Sequence, residues 1–258
     1  MVRRIGWCSF GLVVFQGVLG GLRVVLDHYA VSGTTLGTLF GLAHACTGQS
    51  FFVLMACISL RLSRSWDGLA FVPNVHSGRR LRWMLPVATG LVFSQLFLGA
   101  AMRHQHAGLA IHDFPLAYGQ WWPATDAESI FRYNQVRPDE SLVTAFQIIL
   151  QMVHRLGAVA TLLAVATCGW LGWRSLGSVM WLRNASVLWI FVLVIQASLG
   201  IATVMYDKPA DVATGHVAIG AISLAWGMLL TLSTRRVLRP AAVRPSESTV
   251  WQVSMNPV

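Results

Sequence analysis

The sequence has few charged residues, and its cysteines form no metal-binding or redox spacing. Only 11% of its 258 residues are charged, against about a quarter in a typical soluble domain. This deficit excludes an ordinary water-exposed surface and indicates contact with lipid. The cysteines are Cys8, Cys46, Cys57 and Cys168. All of them lie in apolar stretches without a CxxC spacing, which favours small packing residues over disulfides or metal ligands.

The chain instead contains six long apolar stretches. A helix of roughly 20 apolar residues spans the hydrocarbon core, and it satisfies its own backbone hydrogen bonds where water is absent. The predicted helices are Ile5–Val25, Leu36–Leu60, Trp83–Met102, Leu142–Trp173, Ala185–Tyr206 and Asp211–Leu232. No small-residue cleavage pattern follows the first, so we expect a helix of the mature protein rather than a signal peptide. The predicted fold class is an all-α, polytopic membrane bundle.

Membrane topology explains the net charge of +9, and we expect no nucleic-acid partner. If the helices alternate in direction, most arginines fall on one side of the membrane. These are Arg3, Arg4, Arg61, Arg64, Arg79, Arg80, Arg82, Arg174, Arg183, Arg235, Arg236, Arg239 and Arg244. The positive-inside rule makes that side the cytoplasm, so both termini are predicted to be cytoplasmic. No mitochondrial targeting segment is recognisable, which favours a bacterial plasma membrane.

The pattern Gln-x-x-Leu-Gly occurs three times, each time late in an odd-numbered predicted helix. The copies are Gln16–Gly20, Gln95–Gly99 and Gln196–Gly200. After each copy the next helix returns with one histidine, which is His44, His154 or His216. This order predicts three diverged helical hairpins, each of which supplies one intramembrane histidine. The alternative is that these residues merely allow close packing, because small residues are common between membrane helices.

Histidine is costly inside a membrane span and usually marks a functional position. The residues that share a helix face with His44 are Gly37, Gly41 and Gly48, and those that share a face with His216 are Ala213, Gly220, Ser223 and Gly227. A stripe of small residues beside one imidazole leaves a flat slot. A planar macrocycle needs a slot of that shape.

The fourth predicted helix carries Gln147, Gln151 and His154 on one face, and Arg155 follows directly. Arginine pairs with carboxylates through two parallel hydrogen bonds, so Arg155 is predicted to bind a heme propionate. Helical bundles hold heme between facing side chains, and histidine is a common axial ligand of its iron. His154 and His216 are the best candidate pair of iron ligands. For each of them, and for His44, an interhelical hydrogen bond is the alternative role.

The long connection from Arg103 to Ser141 contains aromatic residues and prolines, which suit an ordered lid at the membrane interface. The loop histidines are His28, His76, His104, His106 and His112. We expect the last three of these to be solvated, with a metal site as the lesser alternative. The tail after Arg239 is rich in proline and serine and is predicted to be disordered.

Taken together, these motifs resemble the heme A synthases, which oxidise the C8 methyl group of heme O to a formyl group for cytochrome oxidase. The matching residues are the Gln-x-x-Leu-Gly helix ends, Arg103-His104, Gly108-Leu109-Ala110, Asp113-Phe114-Pro115-Leu116, Trp122-Pro123, Gln151-Met-Val-His154-Arg155 and His216. The resemblance extends from about Phe10 to Leu232.

The resemblance implies two four-helix halves, each holding a heme between paired histidines, and the six predicted helices match the last six of that family. Residues 1–80 would be an incomplete N-terminal half, 81–234 a heme-binding half, and 235–258 a cytoplasmic tail. His154 and His216 fall on the ligands of the C-terminal heme b, and His44 falls on a histidine thought to receive heme O. The family's catalytic Glu-x-x-His-Arg motif is absent, and Gln151 occupies the place of the glutamate in the one His-Arg motif present, as in the family's C-terminal half.

The first hypothesis is therefore an iron-dependent oxidoreductase of heme A biosynthesis, with heme b as relay and heme O as substrate. The second is a bis-histidine electron-transfer or heme-binding membrane protein without a reaction of its own. A heme-handling or exporting protein is a third reading, based on Trp121 and Trp122 beside Asp126. The expected partners are heme O, heme O synthase, cytochrome oxidase assembly factors and membrane lipid, and a homo-oligomer stays open.

Overall fold

The computed structural model describes residues 2–31, 34–69, 78–137, 142–177 and 179–238. The elements in chain order are α1 (Val2–Val25), β1 (Ala30–Val31), β2 (Thr34–Thr35), α2 (Leu36–Leu62), α3 (Arg64–Asp67), α4 (Gly78–His104), α5 (Ala127–Gln135), α6 (Ala145–Ser175), α7 (Met180–Met205) and α8 (Ala210–Val237). Within the described ranges, six helices are long and apolar enough to cross a membrane, namely α1, α2, α4, α6, α7 and α8. The predicted all-α membrane bundle is confirmed, and the chain is an integral membrane protein.

Ten of the twelve ends of the long helices differ from the predicted ends by one to five residues, and the start of α6 and the end of α4 are two examples. α6 begins at Ala145 rather than at Leu142 because Thr144 caps it. The Thr144 hydroxyl accepts a hydrogen bond from the Gln147 N–H at 3.3 Å, and the Gln147 side-chain oxygen accepts one from the Thr144 N–H at 2.9 Å. This reciprocal pair is a capping box. α4 continues past its predicted end to His104, which moves this histidine from the predicted loop into a helix.

Four of the long helices form a bundle. α4 packs against α6 and α8, and α7 packs against the same two helices. α6 and α8 therefore lie on one diagonal of the bundle, and α4 and α7 lie on the other. The arginine-rich end of the bundle is called the inner end below, and the end that carries the α7–α8 turn is called the outer end.

The inner half of the bundle is filled by side chains. Trp189 of α7 is fully buried, and its indole N–H donates to the hydroxyl of Ser223 on α8 at 2.9 Å. Gly227 leaves room for this ring, since a methyl group there would lie 2.5 Å from a ring carbon of Trp189. Cys168 is a free thiol buried in the same core, as its predicted packing role requires. The described side chains of this inner half are therefore close-packed and leave no room for a cofactor among them.

The helices α1 and α2 form a separate hairpin beside this bundle. They pack against each other, and α2 also contacts α4 and α8. The two-residue strands β1 and β2 pair antiparallel at the outer tip of the hairpin. The Thr35 hydroxyl caps α2 by accepting from the Thr38 N–H at 3.0 Å, and it donates to the Asp27 carboxylate at 3.0 Å. These contacts fix where the chain turns back into the membrane.

Stacking on one tryptophan joins α2 to α8 at the inner end. The guanidinium groups of Arg61 and Arg236 lie 4.7 and 4.5 Å from the ring centroid of Trp66. α8 continues to Val237, so the first residues of the predicted tail are helical. The remainder of the tail, like His76, lies outside the described residues. The division into halves at residues 80 and 234 stays a prediction.

Candidate functional site

The three predicted hairpins repeat one contact between a histidine ring and a glycine. A methyl group at Gly20 would lie 3.2 Å from the Cε1 atom of His44. The corresponding distance is 3.7 Å from Gly99 to His154 and 2.9 Å from Gly200 to His216. In each hairpin the last residue of the Gln-x-x-Leu-Gly pattern therefore gives the imidazole a flat backbone surface. The predicted structural repeat is confirmed by this shared geometry.

The glutamine of each pattern contacts a second glycine, about one turn beyond the histidine. The side-chain nitrogen of Gln16 lies against Gly48, that of Gln95 against Gly157 and that of Gln196 against Gly220. The carboxamide oxygens of all three glutamines are buried and have no hydrogen-bond partner in the described part of the chain. Buried polar atoms are normally satisfied, so a set of three calls for an explanation. The sequence pattern marked these glutamines but did not predict their contacts.

Two of the histidines have an orientation that leaves a ring nitrogen available as a ligand. The Nδ1 atom of His44 lies 3.1 Å from the backbone oxygen of Gln16, and the Nδ1 atom of His216 lies 2.9 Å from the backbone oxygen of Gln196. A carbonyl oxygen can only accept, so Nδ1 carries the proton and Nε2 keeps its lone pair. Metal-ligating histidines usually make this second hydrogen bond, because it fixes the tautomer and the ring orientation.

His154 completes a pair with His216 inside the four-helix bundle. His154 is on α6 and His216 is on α8, on one diagonal of the bundle, and both lie within about three turns of the outer ends of their helices. Both rings are partly buried. The Nδ1 atom of His154 is buried and has no hydrogen-bond partner in the described ranges. The structure thus places the two imidazoles that the sequence paired on opposed helices of one bundle, at similar depth.

These residues fit a flat, bis-histidine-ligated group. The donor set is what fits, because the predicted flat slots beside the histidines are filled: Gln16 lies against Gly48, Gln196 against Gly220 and Trp189 against Gly227. The lone pair of His216 and the buried, unpartnered Nδ1 of His154 are nitrogen donors of the kind that heme iron accepts. His154 and His216 would be the residues that hold such a group.

Arg155 contacts the outer loop. The outer loop comprises residues 105–126. The guanidinium donates to the backbone oxygens of Leu116 and Asp113 at 2.9 Å each and to that of Ile111 at 3.4 Å. It also lies 5.9 Å from the ring centroid of Phe114. The structure thus gives Arg155 three carbonyls of the loop as partners, and the heme propionate predicted for it stays a prediction.

Gln151 is a second anchor of the outer loop and is almost fully buried. Its side-chain oxygen accepts from the Ile111 N–H at 2.7 Å, and its side-chain nitrogen donates to the Ile111 oxygen at 3.0 Å. The same nitrogen lies 3.4 Å from the oxygen of Gly108. An amide suits this place because it donates and accepts at once.

The outer loop is an ordered lid, as its aromatic composition predicted. The Tyr118 ring stacks on Tyr133 of α5 with 3.7 Å between the ring centroids. Burial raises the pKa of Tyr118, so its phenol keeps the proton that it donates to the oxygen of Ala110. The carboxylate of Asp113 accepts from the N–H groups of Tyr118 and Gly119 at 2.8 and 2.9 Å. The lid therefore covers the outer end of α6 in one conformation.

The prediction for the loop histidines is wrong for His104. Its ring is half-buried against α2, and a methyl group at Gly41 would lie 2.5 Å from its Cε1 atom. His106 is exposed as expected. The Nδ1 atom of His112 lies 3.3 Å from the carboxylate of Asp207, which joins the lid to the α7–α8 turn. His104 thus helps to seat α4 on the α1–α2 hairpin.

The contact between Gly200 and His216 leads us to expect that a larger residue at position 200 destabilises the fold. Gly200→Ala is expected to lower the free energy of unfolding by about 1–3 kcal/mol, the usual cost of overpacking. The His216 ring cannot swing aside without losing its 2.9 Å hydrogen bond to Gln196. Thermal unfolding of the purified chain in detergent measures the effect. Gly90→Ala is the matched control, because nothing lies within 4 Å of its added methyl group. An equal loss in both variants would contradict the contact.

The fold and the site define a class: a polytopic membrane protein with two imidazoles from opposed helices inside a four-helix bundle, an arrangement typical of membrane heme proteins. Comparison with known proteins identifies the group within this class. The chain belongs to the Cytochrome oxidase assembly protein family, whose model matches residues 2–228.

Curated relatives agree with this assignment. The Heme A synthase of Roseobacter denitrificans is 29% identical over 248 residues, which cover 89% of this chain and 59% of that protein. The Heme A synthase of Nitrosomonas eutropha is 30% identical over 218 residues, with 83% and 57% covered. That of Chelativorans is 33% identical over 225 residues, with 84% and 57% covered. The chain spans somewhat under three fifths of the length of these relatives.

Proposed function

We propose that this chain acts in the oxidation of heme O to heme A, in which the C8 methyl group becomes a formyl group. In this proposal heme b is held between His154 and His216, and heme O is received near His44. The observation that carries the proposal is the pair of opposed imidazoles in a bundle whose family matches nearly the whole chain. A heme held there would supply one-electron chemistry at its iron.

The residues of the chain have separate tasks in this proposal. His216 points its unprotonated nitrogen away from the Gln196 carbonyl, which makes it ready to ligate without a proton transfer. His44 has the same arrangement with Gln16, so the α1–α2 hairpin offers a second ligand of the same kind. Arg155 and Gln151 hold the lid over the outer end, which limits the access of water to the bundle. A drier site strengthens the interaction of buried polar groups with a bound ligand.

A second candidate function is heme binding or electron transfer without synthase chemistry. The lack of a Glu-x-x-His-Arg motif in residues 1–258 favours it, because the resemblance assigns catalysis to the glutamate of that motif. Gln151 stands in the glutamate's place in the one His-Arg motif present, as in the family's C-terminal half. Its amide is already engaged by the backbone of Ile111. An amide does not exchange a proton as a carboxyl group does. A chain that relies on Gln151 at this position would therefore bind heme without acting as a general acid or base there.

The orientation in the membrane and the partners are also proposals. We place both termini in the cytoplasm of a bacterial cell, with the arginine-rich inner end on that side. The proposed partners are heme O, heme O synthase, cytochrome oxidase assembly factors and membrane lipid, and a homo-oligomer is the proposed assembly to test.

Expression of the full chain in bacteria that make heme O but lack their own synthase tests the proposal. We expect heme A in extracts of these cells, detected by chromatography and mass spectrometry. His44→Ala should abolish the conversion and leave the visible spectrum of a bis-histidine heme unchanged. Unconverted heme O with an intact spectrum in the unaltered chain would favour the second candidate. A purified chain without any heme would contradict both.

A further inference from the structure

A polar cleft opens at the outer end of the bundle. It has a volume of about 390 Å³ and lies between the outer loop, the start of α6 and the α7–α8 turn. Its lining includes His106, His112, Arg137, Gln147, Asp207 and Lys208. None of these side chains has a task in the proposed function, so the cleft needs an explanation of its own.

The charge that lines this cleft is mainly positive. Lys208 and Arg137 are cations, and two imidazoles stand beside them. Asp207 is the one acidic residue among the lining residues, and it is paired with His112 at 3.3 Å. Lys208 is exposed and forms no ion pair within the described ranges. A cleft with more positive than negative charge attracts carboxylates, and its low-dielectric walls concentrate the electrostatic field inside it.

The backbone holds these side chains in unusual conformations. His106, Asp207 and Lys208 have φ angles of 52°, 53° and 60°. This left-handed region is uncommon for residues other than glycine. The Lys208 N–H donates to the oxygen of Thr203 at 2.7 Å, and this bond fixes the turn. Strained backbone persists where surrounding contacts over-determine it, and it clusters at functional positions.

The cleft lies outward of the two paired imidazoles. Gln147 lines the cleft and precedes His154 by two turns on the same face of α6, which is a distance of about 10.5 Å along the helix. Lys208 stands just before α8, the helix that carries His216. Two walls of the cleft are therefore continuous along the chain with the helices that carry the candidate ligands.

We propose that this cleft is the carboxylate subsite for the propionate groups of the heme held between His154 and His216, with Lys208 as the principal cation. The inference rests on the proposed function. The sequence assigned the propionate to Arg155, but its guanidinium already donates to three carbonyls of the outer loop. Lys208 has no such commitment, and a lysine ammonium is a compact charge that suits a solvated carboxylate.

The release rates of heme and of heme dimethyl ester distinguish loss of a propionate contact from a general effect on folding. Heme has ionised propionates and the ester has none, so only heme release depends on such a contact. In the full chain, Lys208→Gln is expected to release heme about fivefold faster, the effect of losing one partly solvated ion pair. Its release of the ester should equal that of the unaltered chain. Transfer of heme to an excess of apomyoglobin, followed by visible absorbance, measures both rates.

Two further variants at Lys208 control for charge and for backbone strain. Lys208→Arg keeps the charge and should release heme as slowly as the unaltered chain. Lys208→Gly removes the charge and suits the left-handed backbone, so it should behave like Lys208→Gln. Equal rates for all variants, or an equal acceleration with heme and its ester, would overturn the inference and leave the proposed function standing. An unaltered chain that binds no heme would instead overturn the proposed function.

Discussion

His216→Ala is expected to abolish the sharp low-spin absorption bands of the heme b that we propose between His154 and His216, and His154→Ala is expected to do the same. Either substitution removes one of the two nitrogen donors that the bundle presents from opposed helices. Loss of an outer-shell partner of a metal ligand costs about 10–100-fold in affinity, so loss of a ligand should cost more than about 100-fold. The heme-to-protein ratio and the visible spectrum of the purified variants measure the effect.

His28→Ala is the matched control for the loss of a histidine, because His28 is exposed in the turn after α1. Its spectrum should equal that of the unaltered chain. His44→Ala should also keep the low-spin bands, since His44 belongs to the α1–α2 hairpin rather than to the four-helix bundle. Unchanged bands in His154→Ala would show that this residue is not a ligand, and the bis-histidine site would fall with it.

Gln151→Glu is expected to lower the free energy of unfolding by about 2–5 kcal/mol. An ionised carboxylate accepts hydrogen bonds but donates none, so the oxygen of Ile111 loses its 3.0 Å partner. The Ile111 oxygen then keeps only the longer contact with the Arg155 guanidinium at 3.4 Å. Weakening a buried hydrogen bond in this way costs about 1–3 kcal/mol, and the desolvation of a buried carboxylate adds to this. Limited proteolysis of the outer loop and thermal unfolding of the purified chain would both report the change.

Gln135→Glu makes the same chemical change on an exposed position of α5. Its stability and its rate of loop cleavage should match those of the unaltered chain. If Gln151→Glu is as stable as this control, then the hydrogen bonds to Ile111 do not anchor the lid. The comparison also bears on the family motif, because it tests whether a glutamate is tolerated at this position of the chain.

The positions of the helices could be predicted from the sequence because each membrane span depends mainly on its own residues. A segment in lipid must satisfy its own backbone groups, so six apolar stretches predict six helices. The exact ends were less accessible. The capping box of Thr144 and Gln147 delayed the start of α6, and the extension of α4 carried His104 into a helix. Such shifts depend on side-chain contacts that apolarity does not encode.

The error at His104 and the unexpected role of Arg155 have a common origin. The ring of His104 is accommodated by Gly41 on a helix that is distant in sequence. The partners of Arg155 are backbone carbonyls about 40 residues earlier in the chain. Backbone acceptors exist at every residue, so no sequence pattern identifies the ones that a guanidinium will reach. The repeated Gln-x-x-Leu-Gly pattern, by contrast, signalled a shared structure through its recurrence alone.

The sequence by itself determined the membrane class, the number of spans and the three hairpins with one histidine each, since hydropathy and periodicity are local properties. Only the tertiary structure decided that His154 and His216 occupy opposed helices, that Arg155 holds the lid, and that Lys208 stands over a cationic cleft. Those facts depend on which helices become neighbours. Neighbour choice follows from the packing of whole surfaces rather than from the residues along one segment.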